Sequence, residues 1–154
     1  CSRGTANPDS AWVAQQARNM CMEFEEDGIT ASHLIHDLDT KFTKQFDDIF
    51  RSEGLKIKKI PFRSPNMNAH CERVVRTIKN EALDYFIVFG EDHLNHIVSS
   101  FVEYYNTLRP HQGLENVPLS GTVPEEQSVT IDPDEVVCKE WLGGVLKHYE
   151  RKAA

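Results

Sequence analysis

The stretch that most constrains this chain is NAHCERVVRTIKNEALDYF, from Asn68 to Phe86. Cys71, Val74, Val75, Ile78 and Ala82 recur at the three- and four-residue spacing of one helical stripe. That spacing predicts an amphipathic helix reaching Phe86 and closed by Gly90, with its stripe buried against a sheet. Beside the stripe, Glu72 lies one turn before Arg76 and two turns before Lys79, so all three share a face. A carboxylate at the edge of a buried stripe, followed by two cations, suits a site that holds metal and phosphate. The same residues also make an ordinary solvated face with a Glu72–Arg76 pair.

A second constraint comes from HLIHDLD, His33 to Asp39. Its apolar centre predicts a short buried strand that delivers Asp37 to its carboxyl end. A helix that packs across the sheet brings Asp37 and Glu72 to one point. Converging carboxylates suit a hard divalent cation, Mg²⁺ above all, which takes oxygen ligands and retains several waters. Asp39 is read as ordering the turn after the strand. Asp37-Leu38-Asp39 also resembles the aspartate pair of haloacid-dehalogenase-like phosphatases, but Lys41 stands where those carry Thr or Val.

Around these stretches the order is helix, strand, helix, strand, helix, helix and tail, which implies an α/β layer architecture. Asn7-Pro8 reads as a cap and first turn, and Val13, Ala17, Met20, Cys21 and Phe24 follow at helical spacing. Thr40 or Thr43 caps a second helix with Phe46, Ile49 and Phe50 inward, and Gly54 stops it. Leu55 to Ile60 reads as an edge strand, with Leu55, Ile57 and Lys59 on one face. Pro61 to Asn68 is a loop. After Gly90, Leu94, Ile97, Val98, Phe101, Tyr105 and Leu108 mark another amphipathic helix, ended by Arg109-Pro110-His111. Leu119 to Pro133 reads as a linker. Val136–Cys138 and Gly144–Tyr149 read as a small strand pair, or a strand and a helix.

The formal net charge is −7, which argues against a protein that coats nucleic acid generally. The charge is uneven. Between Arg51 and Lys79 there are eight basic residues against Glu53 and Glu72, a net of +6. Such a strip can dock a polyanion at one place. The four cysteines form no C-x-x-C pair, so neither a zinc finger nor a disulfide framework is indicated. No run reaches the ~20 apolar residues of a membrane span, and no signal peptide opens the sequence.

Together, HDLDTKF, PFRSPNMNAHCER and YYNTLRPHQGL resemble the catalytic core of DDE integrases and insertion-sequence transposases, over about Ala11 to Leu119. In that family an Asp follows a strand and a Glu opens a helix about thirty-five residues later; here 34 residues separate Asp37 from Glu72. The resemblance implies a ribonuclease-H-like α/β fold and a bound Mg²⁺ or Mn²⁺. It implies DNA as partner, both transposon ends and target, and a homo-oligomer assembled on that DNA. The implied reaction is cleavage and joining of DNA strands by direct transesterification. Asp37 and Glu72 match the metal-binding catalytic acids. Arg76 and Lys79 match DNA-contacting positions, and Arg73, Arg63 and Lys59 extend the same basic strip.

One departure stands out. The family's first catalytic Asp lies on a β-hairpin before the helix that here starts near Pro8, and no such hairpin is read in this sequence. With Cys1 rather than Met in first place, the expectation is an incomplete, N-terminally truncated core (1–119) with a helix-rich C-terminal half, then a linker and small tail element (120–154). A core with two of three acids is expected to be inactive in strand transfer as it stands. The alternative is a non-catalytic DNA-binding or assembly remnant of a transposase. Either is expected in a prokaryotic-type cytoplasm, on the nucleoid.

Overall fold

The computed structural model describes residues 3–61, 68–121 and 132–152. The chain divides into two compact units, one before Arg76 and one from Arg76 onward. Helices and strands are mixed, as an α/β reading requires.

In the first unit, α1 (Ser10–Glu26) leads to β1 (His33–His36), α2 (Lys44–Ser52) and β2 (Lys56–Lys59). Asp9, rather than Asn7, caps α1: its side chain accepts the Trp12 N–H at 2.7 Å, which leaves Pro8 outside the helix. At the other end Gly28 adopts φ +65°, and Ile29 N–H reaches back to the Phe24 carbonyl at 2.8 Å. Gly54 repeats the device after α2, with φ +82° and Leu55 N–H donating to the Phe50 carbonyl at 3.0 Å. Both turns need the left-handed backbone that glycine adopts without steric cost.

β1 and β2 pair in parallel, His33 opposite Lys56 through His36 opposite Lys59, with α2 as the crossover between them. Leu34, Ile57, Leu55, Phe46, Phe50, Val13 and Ala17 join in one core between this ribbon and the two helices. Phe42, Phe46 and Phe50 run through it with ring centroids 4.8 and 5.1 Å apart. β1 departs from the expected fully buried strand. A two-stranded ribbon covered on one side buries alternate residues only, so Leu34 and His36 face inward while His33 and Ile35 are exposed. α2 also turns Asp47, not only its phenylalanines, toward the interior.

α3 (Ala69–Glu81) is shorter than the spacing predicts. A separate 3₁₀ turn, Leu83–Tyr85, follows it. Gly90, expected to close that helix, instead opens α4 (Gly90–Thr107). The stripe of α3 also departs from expectation. Val74 is 54% and Val75 60% exposed, and Cys71 is exposed too. Among the described residues only its C-terminal end meets a core: Ala82 is fully buried with Ile97, Phe101 and Leu146, and Ile78 packs against them. Apolar spacing alone does not supply a covering surface, and the second core begins a full turn beyond Val75.

Within the second unit, α4 presents Ile97 and Phe101 to that core. β3 (Val136–Trp141) and β4 (Leu146–Arg151) form an antiparallel hairpin, Val136 opposite Arg151 through Trp141 opposite Leu146. Of the two readings of the tail, the strand pair is the one adopted. Leu146, Trp141 and Leu142 bring the hairpin onto the α4 core. The Tyr104 hydroxyl donates to the Lys147 carbonyl at 3.2 Å. Most of the expected 119–133 linker, and of the Pro61–Asn68 loop, falls outside the described residues.

Candidate functional site

Asp37 is exposed and follows the last residue of β1, at the carboxyl end of the parallel pair. Its Oδ1 accepts the Asp39 N–H at 3.1 Å, so one carboxylate oxygen is left open to solvent or a ligand. Asp39 is engaged differently: Lys41 donates its backbone N–H to Oδ1 at 2.9 Å and its ammonium to Oδ2 at 3.2 Å. Those two bonds hold the Asp39 carboxyl below the usual carboxylate range. Asp39 thus orders the turn, as its position in the sequence suggests.

The peptide that carries Asp37 is fixed from beneath. His36 is 6% and Asp47 2% exposed. His36 Nδ1 donates to the Asp37 carbonyl at 2.6 Å, and Nε2 meets Asp47 Oδ1 at 2.9 Å. A carbonyl only accepts, so Nδ1 is the donor in that contact. Asp47 Oδ2 receives the Lys59 ammonium at 2.9 Å and, at 3.5 Å, an Arg51 nitrogen. Burial pushes the Asp47 carboxyl up, but hydrogen bonds and charge from Lys59 and His36 outweigh it and leave the group below its ordinary value. His36 and Lys59 are register partners on adjacent strands. One buried carboxylate on the crossover helix therefore ties both strand ends together. Asp47 was not singled out in the sequence, where it reads as one of two consecutive aspartates on a short helix. Its signal is positional, because residue 47 lies one helical turn before Arg51 and between the inward Phe46 and Phe50.

Glu72 is exposed in the first turn of α3, where a carboxylate is favoured by the helix dipole. Arg73 and Arg76 are exposed on the same helix. Among the described residues neither arginine pairs with an acid, and the Glu72–Arg76 ion pair that spacing permits is not formed. Two of the other basic residues are engaged. Lys79 pairs with Asp84 of the following 3₁₀ turn, and Lys59 pairs with Asp47. Arg63 lies outside the described residues.

The donor chemistry at Asp37 and Glu72 fits a hard divalent ion, since both are solvent-exposed carboxylates without a cationic partner among the described residues. Among those residues no three His, Cys, Asp or Glu side chains gather closely enough to hold an ion.

A different motif closes the second unit. Arg109 bonds Glu81 at the end of α3 through two parallel contacts of 2.9 and 2.8 Å, and its guanidinium lies 5.1 Å from the Tyr105 ring centre. The hydrogen bonds from Arg109 to Glu81 raise the arginine above its usual value against the opposing effect of burial. His111 Nε2 lies 3.1 Å from the Tyr105 carbonyl, and its ring meets the Tyr105 ring edge-on at 4.8 Å. Tyr105, Arg109 and His111 of YYNTLRPH thus hold one another and anchor the end of α4 to the end of α3.

Residues 53–118 match the integrase core domain family. This segment is similar to integrase core domains. The match takes in Lys59, Glu72, Arg73, Arg76 and Lys79 together with Glu81, Arg109 and His111, and Asp37 precedes it. No curated protein and no solved structure matches the chain. Integrase cores of the DDE type belong to the ribonuclease-H-like α/β class, act in DNA integration and transposition, and use divalent metals. The mixed helices and strands agree with that class. Among the described residues no helix is long and apolar enough to cross a membrane.

Proposed function

We propose that this integrase core takes part in metal-dependent polynucleotidyl transfer on DNA, with Asp37 and Glu72 as its metal-binding catalytic carboxylates. The observation that carries the reading is Glu72. It stands inside the integrase-core match, in the first turn of α3, solvent-exposed and unpaired with the arginine one turn away.

Asp37 and Glu72 would hold Mg²⁺ or Mn²⁺ by oxygen. When bound, the ion activates a nucleophilic oxygen and stabilises the leaving oxygen of a phosphodiester. The remaining work falls to the chain. Arg73 and Arg76 project into solvent as ready partners for backbone phosphates, which fix position rather than read sequence. Lys79, Lys59 and Arg63 extend the contact, Lys79 by exchanging Asp84 for phosphate and Lys59 while keeping its bond to Asp47. Asp37 and Glu72 are two of the three acids that a DDE core calls for. Two carboxylates leave most of the coordination sphere to water and DNA phosphate, so metal affinity is weak without DNA and strand transfer by this chain alone is slight.

The division into a catalytic part, 1–119, and a linker with a tail element, 120–154, belongs to the same reading, as does assembly of several copies on paired DNA ends in the nucleoid. The test follows Mg²⁺-dependent nicking of a labelled duplex together with binding of that duplex by fluorescence anisotropy. Glu72→Gln is expected to abolish whatever nicking the wild type shows and to leave binding within about twofold. A chain that binds DNA with no response to Mg²⁺, in wild type and variant alike, is instead a non-catalytic assembly module.

A further inference from the structure

The structure points to Asp47 and His36 as positioning residues for the metal-binding acid, an inference that rests on the reading of Asp37 given above. We infer that Asp47, through the His36 ring, sets the orientation of the Asp37 peptide and hence the direction in which its carboxylate is presented.

Three observations support this. First, the contact is to the peptide that bears the acid: His36 Nδ1 donates to the carbonyl of Asp37 itself at 2.6 Å. Second, the ring cannot turn freely. It is buried, it lies 4.9 Å from the Phe42 ring and 5.6 Å, edge-on, from the Phe46 ring, and its far nitrogen is held by Asp47 at 2.9 Å. Third, Asp47 is itself clamped by Lys59, the register partner of His36 on β2. Ile60 N–H also donates to the His36 carbonyl at 2.8 Å. The backbone on both sides of His36 is therefore bonded, while the Asp37 side chain remains exposed. A buried carboxylate that costs free energy to desolvate, placed where an apolar residue would pack, is explained by what it holds. Partners that orient metal ligands in this way commonly change metal affinity by about 10–100-fold when removed.

The two halves of the relay can be separated by substitution. In His36→Gln the amide nitrogen takes the place of Nε2 and can still donate to Asp47, whereas the donor to the Asp37 carbonyl is lost. In His36→Phe both ring-nitrogen contacts go, but a ring of similar size stays against Phe42 and Phe46, so a folded variant is kept if the first does not fold. The full chain, its two variants and Asp37→Asn are titrated with Mn²⁺ in the presence of a short DNA duplex, following the free ion by electron paramagnetic resonance. The amide cross-peak of Leu38, whose N–H belongs to the same peptide as the Asp37 carbonyl, is recorded without metal.

The expected result is a loss of roughly tenfold or more in Mn²⁺ affinity for both His36 variants, with a displaced Leu38 cross-peak and unchanged signals from Ala14 and Ala17 of α1. Wild-type affinity and an unmoved Leu38 signal in a folded His36→Gln or His36→Phe, beside a clear loss in Asp37→Asn, would overturn the positioning role alone. Wild-type affinity in Asp37→Asn would overturn Asp37 as a ligand, and this inference with it.

Discussion

Arg109 grips Glu81 with two parallel hydrogen bonds, Nε to Oε2 at 2.9 Å and a terminal nitrogen to Oε1 at 2.8 Å. Only a planar, forked cation makes that contact, so lysine is not an equivalent substitute. Both side chains are part-exposed, so solvent screening keeps the pair's worth to about 0.5–1 kcal/mol. Arg109→Lys is expected to lower stability by roughly that amount in urea unfolding of the full chain. A double-mutant cycle with Glu81→Gln should recover a coupling of similar size. Unchanged stability in Arg109→Lys would reduce the contact to a surface accident.

The α3 stripe supplies a paired prediction. Val74 and Val75 are exposed, whereas Ile97 is fully buried beside Ala82 and Phe101. Val74→Ser and Val75→Ser are therefore expected to change stability by no more than about 0.5 kcal/mol. Ile97→Ala should cost about 2–5 kcal/mol through lost burial and the cavity left behind. Denaturant midpoints of the three variants check this. A large loss at Val75 would mean that the first turns of α3 are covered after all.

The strand, helix and strand that carry Asp37 were legible in the sequence because Leu34, Phe46, Phe50, Leu55 and Ile57 fall at helix and strand periods. The face shared by Leu55, Ile57 and Lys59 was legible too, and Lys59 follows it inward to Asp47. The interior role of Asp47 was not legible, because a buried charge depends on partners brought from two other elements. Period-two alternation turned His36 inward and Ile35 outward, which a reading of HLIH as uniformly buried overlooks. α3 ends at Glu81, short of Phe86, for a related reason. Leu83–Tyr85 continue the apolar count, yet their backbone closes into a 3₁₀ turn, and the Lys79–Asp84 pair links that turn to the helix. At Asp37 and Glu72, spacing and family resemblance supplied the candidates, and exposure of their carboxylates was beyond both.

Acid should expose the Asp47 network. Its carboxyl is held below the ordinary value by Lys59 and His36, with Arg51 also facing it. A group whose folded value is depressed contributes stability that is fully present above its unfolded value, about 3.9, and is lost as pH falls through the folded value. Unfolding free energy of the wild type is therefore expected to decline below about pH 4 more steeply than that of Asp47→Asn. Equal slopes in the two proteins would contradict the network.

DNA contact should follow which cations are free. Arg76→Ala and Arg73→Ala are each expected to reduce the salt dependence of duplex binding by roughly one phosphate contact. Lys79→Ala and Lys59→Ala should reduce it less, because Asp84 and Asp47 already hold those ammonium groups. Anisotropy titrations over a range of salt concentrations measure the slopes. Slopes unaffected by either arginine would return α3 to plain solvated surface.

The most direct measurement is a Mn²⁺ affinity cycle over Asp37→Asn, Glu72→Gln and the double variant, read by water-proton relaxation with a short duplex present. If the two carboxylates hold the same ion, each single substitution weakens binding about tenfold or more, and the double loses clearly less than the product of the two. Losses that simply multiply, or wild-type affinity in either single variant, would contradict a shared metal and the function built on it.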